Sequence, residues 1–297
     1  MATATEWIQG ARLRTLPAAL APVLIGTGAA LREGATLGVS VPRGLLAAGV
    51  AVALQVGVNY ANDYSDGVRG TDDVRAGPMR LTATGKAAPG TVKRAAFASF
   101  AVAAALGLGL VAVSGTWWLL AVGALAVLAA WYYTGGARPY GYLGLGEVFV
   151  FVFFGLVATL GTTWTQSYTL PPTAWLGASG VGLLSCAILM ANNLRDIPTD
   201  TLSGKRTLAV RLGERRARRA YVALVWTALA LGGLCAFWAP TAVLFMAVLI
   251  PAALRLSTRA LSTAQGRDLI PLLSGTGLLV LVYGIFLTIA LIPPATF

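Results

Sequence analysis

The stretch NYANDYSDGVRGTD, Asn59 to Asp72, closes an apolar run that is long enough to cross a lipid bilayer. On a continuous helix, four of its polar residues share one face about 100° wide; they are Asn59, Asn62, Asp63 and Asp66. An aspartate near the bilayer centre costs about 2.5–3.5 kcal/mol on insertion scales, so such residues normally face a cavity and serve a function. Carboxylates suit Mg²⁺, which is usually bound by one or two of them together with substrate phosphates. The alternative is that these residues mark only the helix end at the water interface.

The composition indicates an integral membrane protein. Of the 297 residues, 57% are hydrophobic and 11% are charged, whereas soluble domains carry about 25% charged residues. The net charge of +11 raises the question of a nucleic-acid partner, but the placement of the basic residues argues against one. The chain contains no histidine, which excludes His-ligated zinc or haem and Ser-His-Asp triads. Cys186 and Cys235 lie in apolar runs and give no sign of a disulfide.

Nine apolar runs are each close to the roughly 17–25 residues that a bilayer requires. They lie at about 16–31, 43–62, 91–113, 116–133, 145–166, 173–194, 219–238, 240–256 and 270–292. We therefore predict an all-α membrane protein with nine transmembrane helices in a single domain, residues 1–297. A cleaved signal peptide is the competing interpretation of the first run, but cleavage would upset the distribution of charge.

The basic residues orient this bundle. With a cytoplasmic N-terminus, all 22 lysines and arginines except Arg32 and Arg43 fall on the cytoplasmic side. The positive-inside rule therefore predicts a multi-pass protein of the plasma (inner) membrane, with its N-terminus inside and its C-terminus outside.

A second polar cluster follows the sixth run, in NNLRDIPTD, residues 192–200. On a continuous helix its polar members also share one face; they are Asn192, Asn193, Asp196 and Asp200. Pro198 lacks an amide donor and disfavours a helical conformation at the residue before it, so we expect a kink or break just before Asp200.

Both clusters precede loops that carry basic residues. Arg80, Lys86, Lys205 and Arg206 suit phosphate oxygens. The two clusters together predict a site for a metal-bound diphosphate whose lipid tail extends into the membrane. The alternative role of the basic residues is topology and binding of anionic lipid headgroups, which we assign to Arg215, Arg216, Arg218 and Arg219.

These motifs resemble a known family. NDYSD (62–66) with Asp72, and DIPTD (196–200), are similar to the two aspartate-rich motifs of the UbiA superfamily of intramembrane aromatic prenyltransferases. The likeness is greater to one branch, the 1,4-dihydroxy-2-naphthoate polyprenyltransferases of menaquinone biosynthesis. It covers nearly the whole chain through five ordered motifs: ARLRTLPAALAPVLIGT (11–27), NDYSDGVRGTD (62–72), GPMRLTATG (77–85), YTGGARPYGYLGLGE (133–147) and NNLRDIPTDTLSGKRTLAVRLG (192–213). Asp72 departs from the commonest spacing, since it follows Asp66 by six residues rather than four.

The resemblance implies Mg²⁺-dependent transfer of a polyprenyl group from its diphosphate to 1,4-dihydroxy-2-naphthoate, with release of diphosphate and CO₂. It implies helices around a central cavity that opens to the cytoplasm. The expected catalytic residues are Asp63, Asp66, Asp196 and Asp200, and the expected metal ligands are these four with Asn59 and Asn62. The expected diphosphate ligands are Arg80, Lys86, Arg138, Lys205 and Arg206, and the expected substrate contacts are Arg14, Asn193 and Tyr133.

Several alternatives remain open at this stage. Arg12 competes with Arg14 for the naphthoate carboxylate, and the tyrosines of the 132–140 region are as readily interfacial anchors. Glu147 is either a helix cap or a catalytic group. An ion-coupled transporter is the rival of another class, although both clusters lie at helix ends and not near the midplane. Transferases that use 4-hydroxybenzoate, homogentisate or haem are the rivals within the superfamily.

Overall fold

The computed structural model describes residues 2–71 and 79–293, and within these ranges every regular element is helical. The α-helices are α1 (Ala4–Ala11), α2 (Pro17–Arg32), α3 (Leu37–Val68), α4 (Pro89–Ser114), α5 (Leu119–Tyr132), α6 (Gly146–Val150), α7 (Ala158–Ser167), α8 (Pro172–Leu202), α9 (Leu208–Leu212), α10 (Glu214–Leu234), α11 (Thr241–Leu261) and α12 (Ile270–Leu291). A π-helical segment, Phe151–Val157, joins α6 to α7 without a break. The prediction of an all-helical chain is confirmed.

Seven of the described helices are long and apolar enough to cross a membrane, and an eighth span results if α1 and α2, bent by 49°, count as one. The prediction of nine spans is therefore confirmed only to this extent. The remaining apolar helix, α5, has 14 residues, fewer than the roughly 17 that usually cross a bilayer.

The helices pack into two apolar cores. In the larger core, α8 packs against α10, α12 and α2, around fully buried residues such as Leu184, Tyr221 and Tyr283. The smaller core joins α3, α4 and α5 around residues such as Tyr60 and Phe100. Because α2 and α7 contact both α3 and the larger core, the two cores enclose a cavity.

Helix direction alternates along the chain, so the two polar clusters lie at one end of the bundle. We call this the aspartate end; α3 and α8 finish there, and α4 and α6 begin there. At the opposite end, Gly115 ends α4 with a φ of 68°, a left-handed conformation that glycine adopts without strain. The expected break at Pro198 is wrong, because α8 continues through it to Leu202.

The π-helical segment approaches α8 closely. A Cβ atom on Gly155 would lie 2.7 Å from the Cα of Gly182 and 2.8 Å from the carbonyl oxygen of Ala178. Both are backbone atoms, which cannot move aside as a side chain can. The absence of a side chain at position 155 therefore sets the distance between α8 and the helix that forms one wall of the cavity.

We predict that Gly155→Ala lowers the free energy of unfolding by about 1–3 kcal/mol, because overpacking forces the two helices apart. The matched control is Gly161→Ala on the same helix, where an added Cβ meets open space. Thermal unfolding of the purified protein in detergent measures both. Equal midpoints for the two variants would contradict the proposed close packing.

Candidate active site

The cavity has a volume of about 1190 Å³ and begins at the aspartate end. Its polar lining there includes most of the residues expected from the sequence: Arg14, Asn59, Asn62, Asp66, Arg80, Tyr133, Asn193, Asp196, Asp200 and Lys205. Towards the opposite end, α3, α4, α5 and the 146–167 helix contribute apolar residues. The cavity therefore has one charged end and one apolar end.

The polar face of α3 is held by neighbouring segments. Asn59 donates from Nδ2 to the carbonyl oxygen of Ala11, at 2.9 Å, and to the hydroxyl of Thr15, at 3.1 Å. The Oδ1 atom of Asn62 accepts a hydrogen bond of 2.8 Å from the Thr134 hydroxyl. These bonds fix the two amide side chains in the lining by contacts with the segment before α2 and the segment after α5.

A buried ion pair joins the two polar clusters. The Nζ atom of Lys205 lies 3.1 Å from Oδ2 of Asp66, and the two side chains are only 9% and 4% exposed. The amide of Lys205 donates to the carbonyl oxygen of Asp200, at 2.8 Å. Lys205 therefore connects the end of α3 to the end of α8, and both aspartates line the same cavity.

Tyr142, which sequence reasoning missed, completes this arrangement. Its hydroxyl donates to Oδ1 of Asp66 at 2.7 Å, and its ring lies 4.7 Å below the ammonium of Lys205. Burial and the nearby Asp66 carboxylate raise the pKa of Tyr142, so the phenol stays protonated and remains a donor. The only signal in the sequence is its position in the Gly- and Tyr-rich loop 133–147, because the partner lies 76 residues away.

Asp196 forms a bidentate ion pair with the preceding residue, Arg195. Nε and Nη2 of Arg195 each lie 2.7 Å from a different oxygen of Asp196. Both side chains are 2% exposed, and both residues line the cavity. Sequence analysis counted Arg195 only among the topology charges; the signal for it was a basic residue inside an acidic motif.

Asp63 was expected to bind metal, but the structure places it elsewhere. It is fully buried and is not among the residues that line the cavity. Its two oxygens accept hydrogen bonds of 2.8 Å from the amides of Leu81 and Thr82. Asp63 therefore anchors the segment that carries Arg80 to α3. Asp72 lies outside the described residues.

Three expected diphosphate ligands also lie outside the cavity lining. Lys86 is half exposed and pairs with Glu6 at 3.1 Å, while Arg138 and Arg206 are exposed. Arg206 contributes through its backbone instead, since its amide donates to the carbonyl oxygen of Tyr142 at 3.0 Å. Of the five expected residues, Arg80 and Lys205 are the two that the fold brings to the cavity.

A second group of polar residues lies beside the charged end. Arg12 and Arg14 both line the cavity, and Arg12 has a φ of 53° at the turn between α1 and the next helical segment. Asn193 also lines the cavity and donates to Oε1 of Glu147 at 3.2 Å. Glu147 itself is buried behind the lining near the start of α6.

The donor set fits Mg²⁺ only if a ligand supplies further oxygens. Within residues 2–71 and 79–293, no three His, Cys, Asp or Glu side chains are grouped so that they alone hold a metal ion. Asp66, Asp196, Asp200 and Asn62 nevertheless line one cavity. One or two carboxylates combined with substrate phosphates is the usual protein environment of Mg²⁺, so these residues fit it.

Comparison with known proteins agrees with this site. The chain matches the UbiA prenyltransferase family over residues 19–268. The 1,4-dihydroxy-2-naphthoate octaprenyltransferase of Mycobacterium tuberculosis is 50% identical over 285 residues, which are 96% of this chain and 96% of that protein. The enzyme of the same name from Escherichia coli is 41% identical over 225 residues, which are 74% of this chain and 72% of that protein.

Solved structures share the fold. A UbiA homologue from Archaeoglobus fulgidus bound to DMAPP and Mg²⁺ superposes with a TM-score of 0.68 at 14% identity, over 97% of this chain and 99% of that one. The apo structure of a UbiA homologue from Aeropyrum pernix gives 0.68 at 17% identity, over 92% and 96% of the two chains.

We predict that Asp63→Asn lowers the free energy of unfolding by about 1–3 kcal/mol, because an amide side chain cannot accept from both backbone N–H groups and one buried donor loses its partner. Thermal unfolding in detergent measures the change. The same substitution at the exposed Asp268 is the control. A variant that keeps the wild-type midpoint would argue against an anchoring role for Asp63.

Proposed function

The chain belongs to the UbiA prenyltransferase family, and on this premise we propose that it transfers a polyprenyl group from polyprenyl diphosphate to 1,4-dihydroxy-2-naphthoate. The relatives that are 41–50% identical and carry the name of this activity support the acceptor. The observation that carries the proposal is the Asp66–Lys205 ion pair at the mouth of an apolar cavity, because it brings both aspartate clusters to one diphosphate-sized group of charges.

We propose that Lys205 and Arg80 bind oxygens of the diphosphate. Both are buried in the cavity lining, where a charge interacts more strongly than in water. The ion pair of Lys205 with Asp66 makes the ammonium less costly to bury before the substrate binds. When the diphosphate arrives, Lys205 needs only a small movement to exchange one anionic partner for another.

Asp66, with Asn62 and either Asp196 or Asp200, would hold Mg²⁺ together with the diphosphate. When bound, the metal neutralises charge on the leaving diphosphate. The proximity of Lys205 and Arg195 to Asp66 and Asp196 keeps the carboxylates ionised and limits their mutual repulsion. Tyr142 orients Asp66 through its hydrogen bond.

The reaction then requires a dry cavity. The allylic C–O bond breaks with both electrons going to the diphosphate oxygen, and the resulting allylic cation reacts with water if water is present. Phe149, Phe153 and Tyr133 line the cavity beyond the charged end. Their rings exclude water, and their π faces stabilise a passing cation.

The aromatic acid is proposed to bind beside the charged end. Its carboxylate is attracted to Arg12 or Arg14, both in the cavity lining. The electron-rich ring forms a bond to the allylic carbon, and carbon dioxide is lost when the bond to the carboxyl carbon breaks and its electrons return to the ring.

We further propose nine membrane spans, with α5 as a short ninth and the bent pair of α1 and α2 as the first. The aspartate end then faces the cytoplasm and the cavity opens there, with the N-terminus inside and the C-terminus outside. The predominance of basic residues on that side supports this orientation. A short span is accommodated by local thinning of the bilayer.

The direct test uses membranes that contain the protein, a radiolabelled prenyl diphosphate and a panel of aromatic acceptors, with and without Mg²⁺. We expect a lipid-soluble product with 1,4-dihydroxy-2-naphthoate that requires Mg²⁺ and disappears when EDTA is added. A product formed instead with 4-hydroxybenzoate or homogentisate would replace the acceptor and retain the rest of the proposal.

We predict that Asp66→Asn and Asp196→Asn each reduce transfer by at least about 10²-fold, the usual effect of removing a group that stabilises developing charge. The control is Asp268→Asn, which changes an exposed carboxylate. Turnover is measured at several Mg²⁺ concentrations after each variant is shown to be folded. Full Mg²⁺-dependent turnover in either variant would remove that residue from the proposed metal site.

A further prediction separates diphosphate-binding charges from those that set topology. Lys205→Ala should lower kcat/KM for the prenyl diphosphate by about 10²-fold, whereas Arg216→Ala should leave it within about twofold, since Arg216 is exposed near the start of α10. Steady-state kinetics with varied prenyl diphosphate decide the matter. Similar losses in the two variants would contradict the separation.

A further inference from the structure

The cavity has a second polar cluster at the end furthest from the aspartates. Arg43 of α3 donates from Nη1 to the carbonyl oxygen of Thr165, at 2.5 Å, and from Nη2 to that of Val113, at 2.8 Å. Its Nη1 also lies 3.1 Å from the Tyr168 hydroxyl, which itself donates to the carbonyl oxygen of Ser114 at 2.8 Å. We call these five residues the distal cluster. It ties α3 to the ends of α4 and α7.

The lining of the cavity on α3 leads directly to this cluster. Asp66, Val58, Leu54 and Ala47 all line the cavity at the spacing of one helical face. At 1.5 Å per residue, the distance from Asp66 to Ala47 is about 28 Å, close to the roughly 30 Å thickness of a bilayer's hydrocarbon core. Arg43 lies one helical turn beyond Ala47.

The other walls end at the same level. Val111, near the end of α4, and Leu119, the first residue of α5, both line the cavity. Thr165 lines the cavity and also provides a carbonyl oxygen to Arg43. The distal cluster therefore lies directly beneath the apolar end of the cavity.

We propose that the distal cluster is the floor of the prenyl-binding cavity and that it sets the longest prenyl tail that the cavity holds. This inference depends on the proposed function, since it concerns the tail of the proposed substrate. A tail that extended further would have to separate the Arg43 guanidinium from three oxygen partners. Unpaired polar groups next to hydrocarbon are unfavourable, so the cluster resists a longer tail more than an apolar floor would.

The test shortens the cavity at its apolar end. Ala47→Phe places a ring in the lining just above the floor, while Ala48→Phe makes the same change at the next residue, which is not among those that line the cavity. Wild type and both variants are compared in lipid nanodiscs with geranyl, farnesyl, geranylgeranyl and octaprenyl diphosphates. The quantity measured is the ratio of kcat/KM for each longer diphosphate to that for geranyl diphosphate.

For Ala47→Phe we expect the octaprenyl-to-geranyl ratio to fall by about tenfold or more, because a filled space excludes the last part of a long tail. For Ala48→Phe the ratio should equal that of wild type. A tail that leaves sideways between helices into lipid predicts equal ratios in all three proteins, and this result would overturn the proposal. If wild type transfers none of the four prenyl groups, the proposed function itself fails, which is a different outcome.

A second variant opens the floor. Arg43→Ala should raise the ratio in favour of octaprenyl diphosphate, and the control is Arg32→Ala, which removes the basic residue at the end of α2. Thermal unfolding shows whether Arg43→Ala remains folded. If it does not, the ratio for Ala47→Phe still decides the question, since that variant leaves the distal cluster intact. A folded Arg43→Ala protein with an unchanged ratio would count against the proposal.

Discussion

The constraint on which the structure depends is the burial of acidic side chains in a bundle that has little polar surface elsewhere. A buried carboxylate is tolerated only when it is paired and hydrogen-bonded. Asp66 meets this condition through Lys205 and Tyr142, Asp196 through Arg195, and Asp63 through two backbone amides. Each partner comes from a different place in the chain, so satisfying these three carboxylates also determines how α3, α8 and the loops between helices meet.

The same requirement explains why only some of the acidic residues face the cavity. Asp63 and Asp66 are one helical turn apart, and an analysis of helical periodicity gives them the same role. In the structure, Asp63 is fully satisfied by the amides of Leu81 and Thr82 and has no reason to face the cavity. Asp66 is paired instead with side chains that themselves line the cavity. A cation–carboxylate pair of this kind can be reorganised by an incoming diphosphate, whereas a carboxylate bound to two amides cannot.

The sequence was sufficient for the features that depend on local pattern. Apolar runs and caps predicted the helices to within a few residues, as for 270–292 against Ile270–Leu291, and the spacing of polar residues predicted which face of α3 is functional. Features that depend on tertiary contact were less accessible. The position of Lys86 at Glu6, and the contact of Tyr142 with a residue 76 positions away, follow from the packing of loops and leave no periodic signal. Pro198 was expected to interrupt α8, but the helix continues, because packing on several sides compensates for the loss of one amide donor.

The two ends of the cavity place opposite demands on one short stretch of helix. At the aspartate end α3 must present oxygens to a metal-bound diphosphate, and further along the same face it must present a surface with which a hydrocarbon tail makes only apolar contacts. The helical repeat allows both, since Asn62 and Asp66 continue the line formed by Ala47, Leu54 and Val58. Because the diphosphate is fixed by charge at one end, the position of every carbon of the tail is fixed relative to the walls. A substrate bound in this way is selected at both ends, by electrostatics at the mouth and by available length at the floor, and the rigid helix between them couples the two.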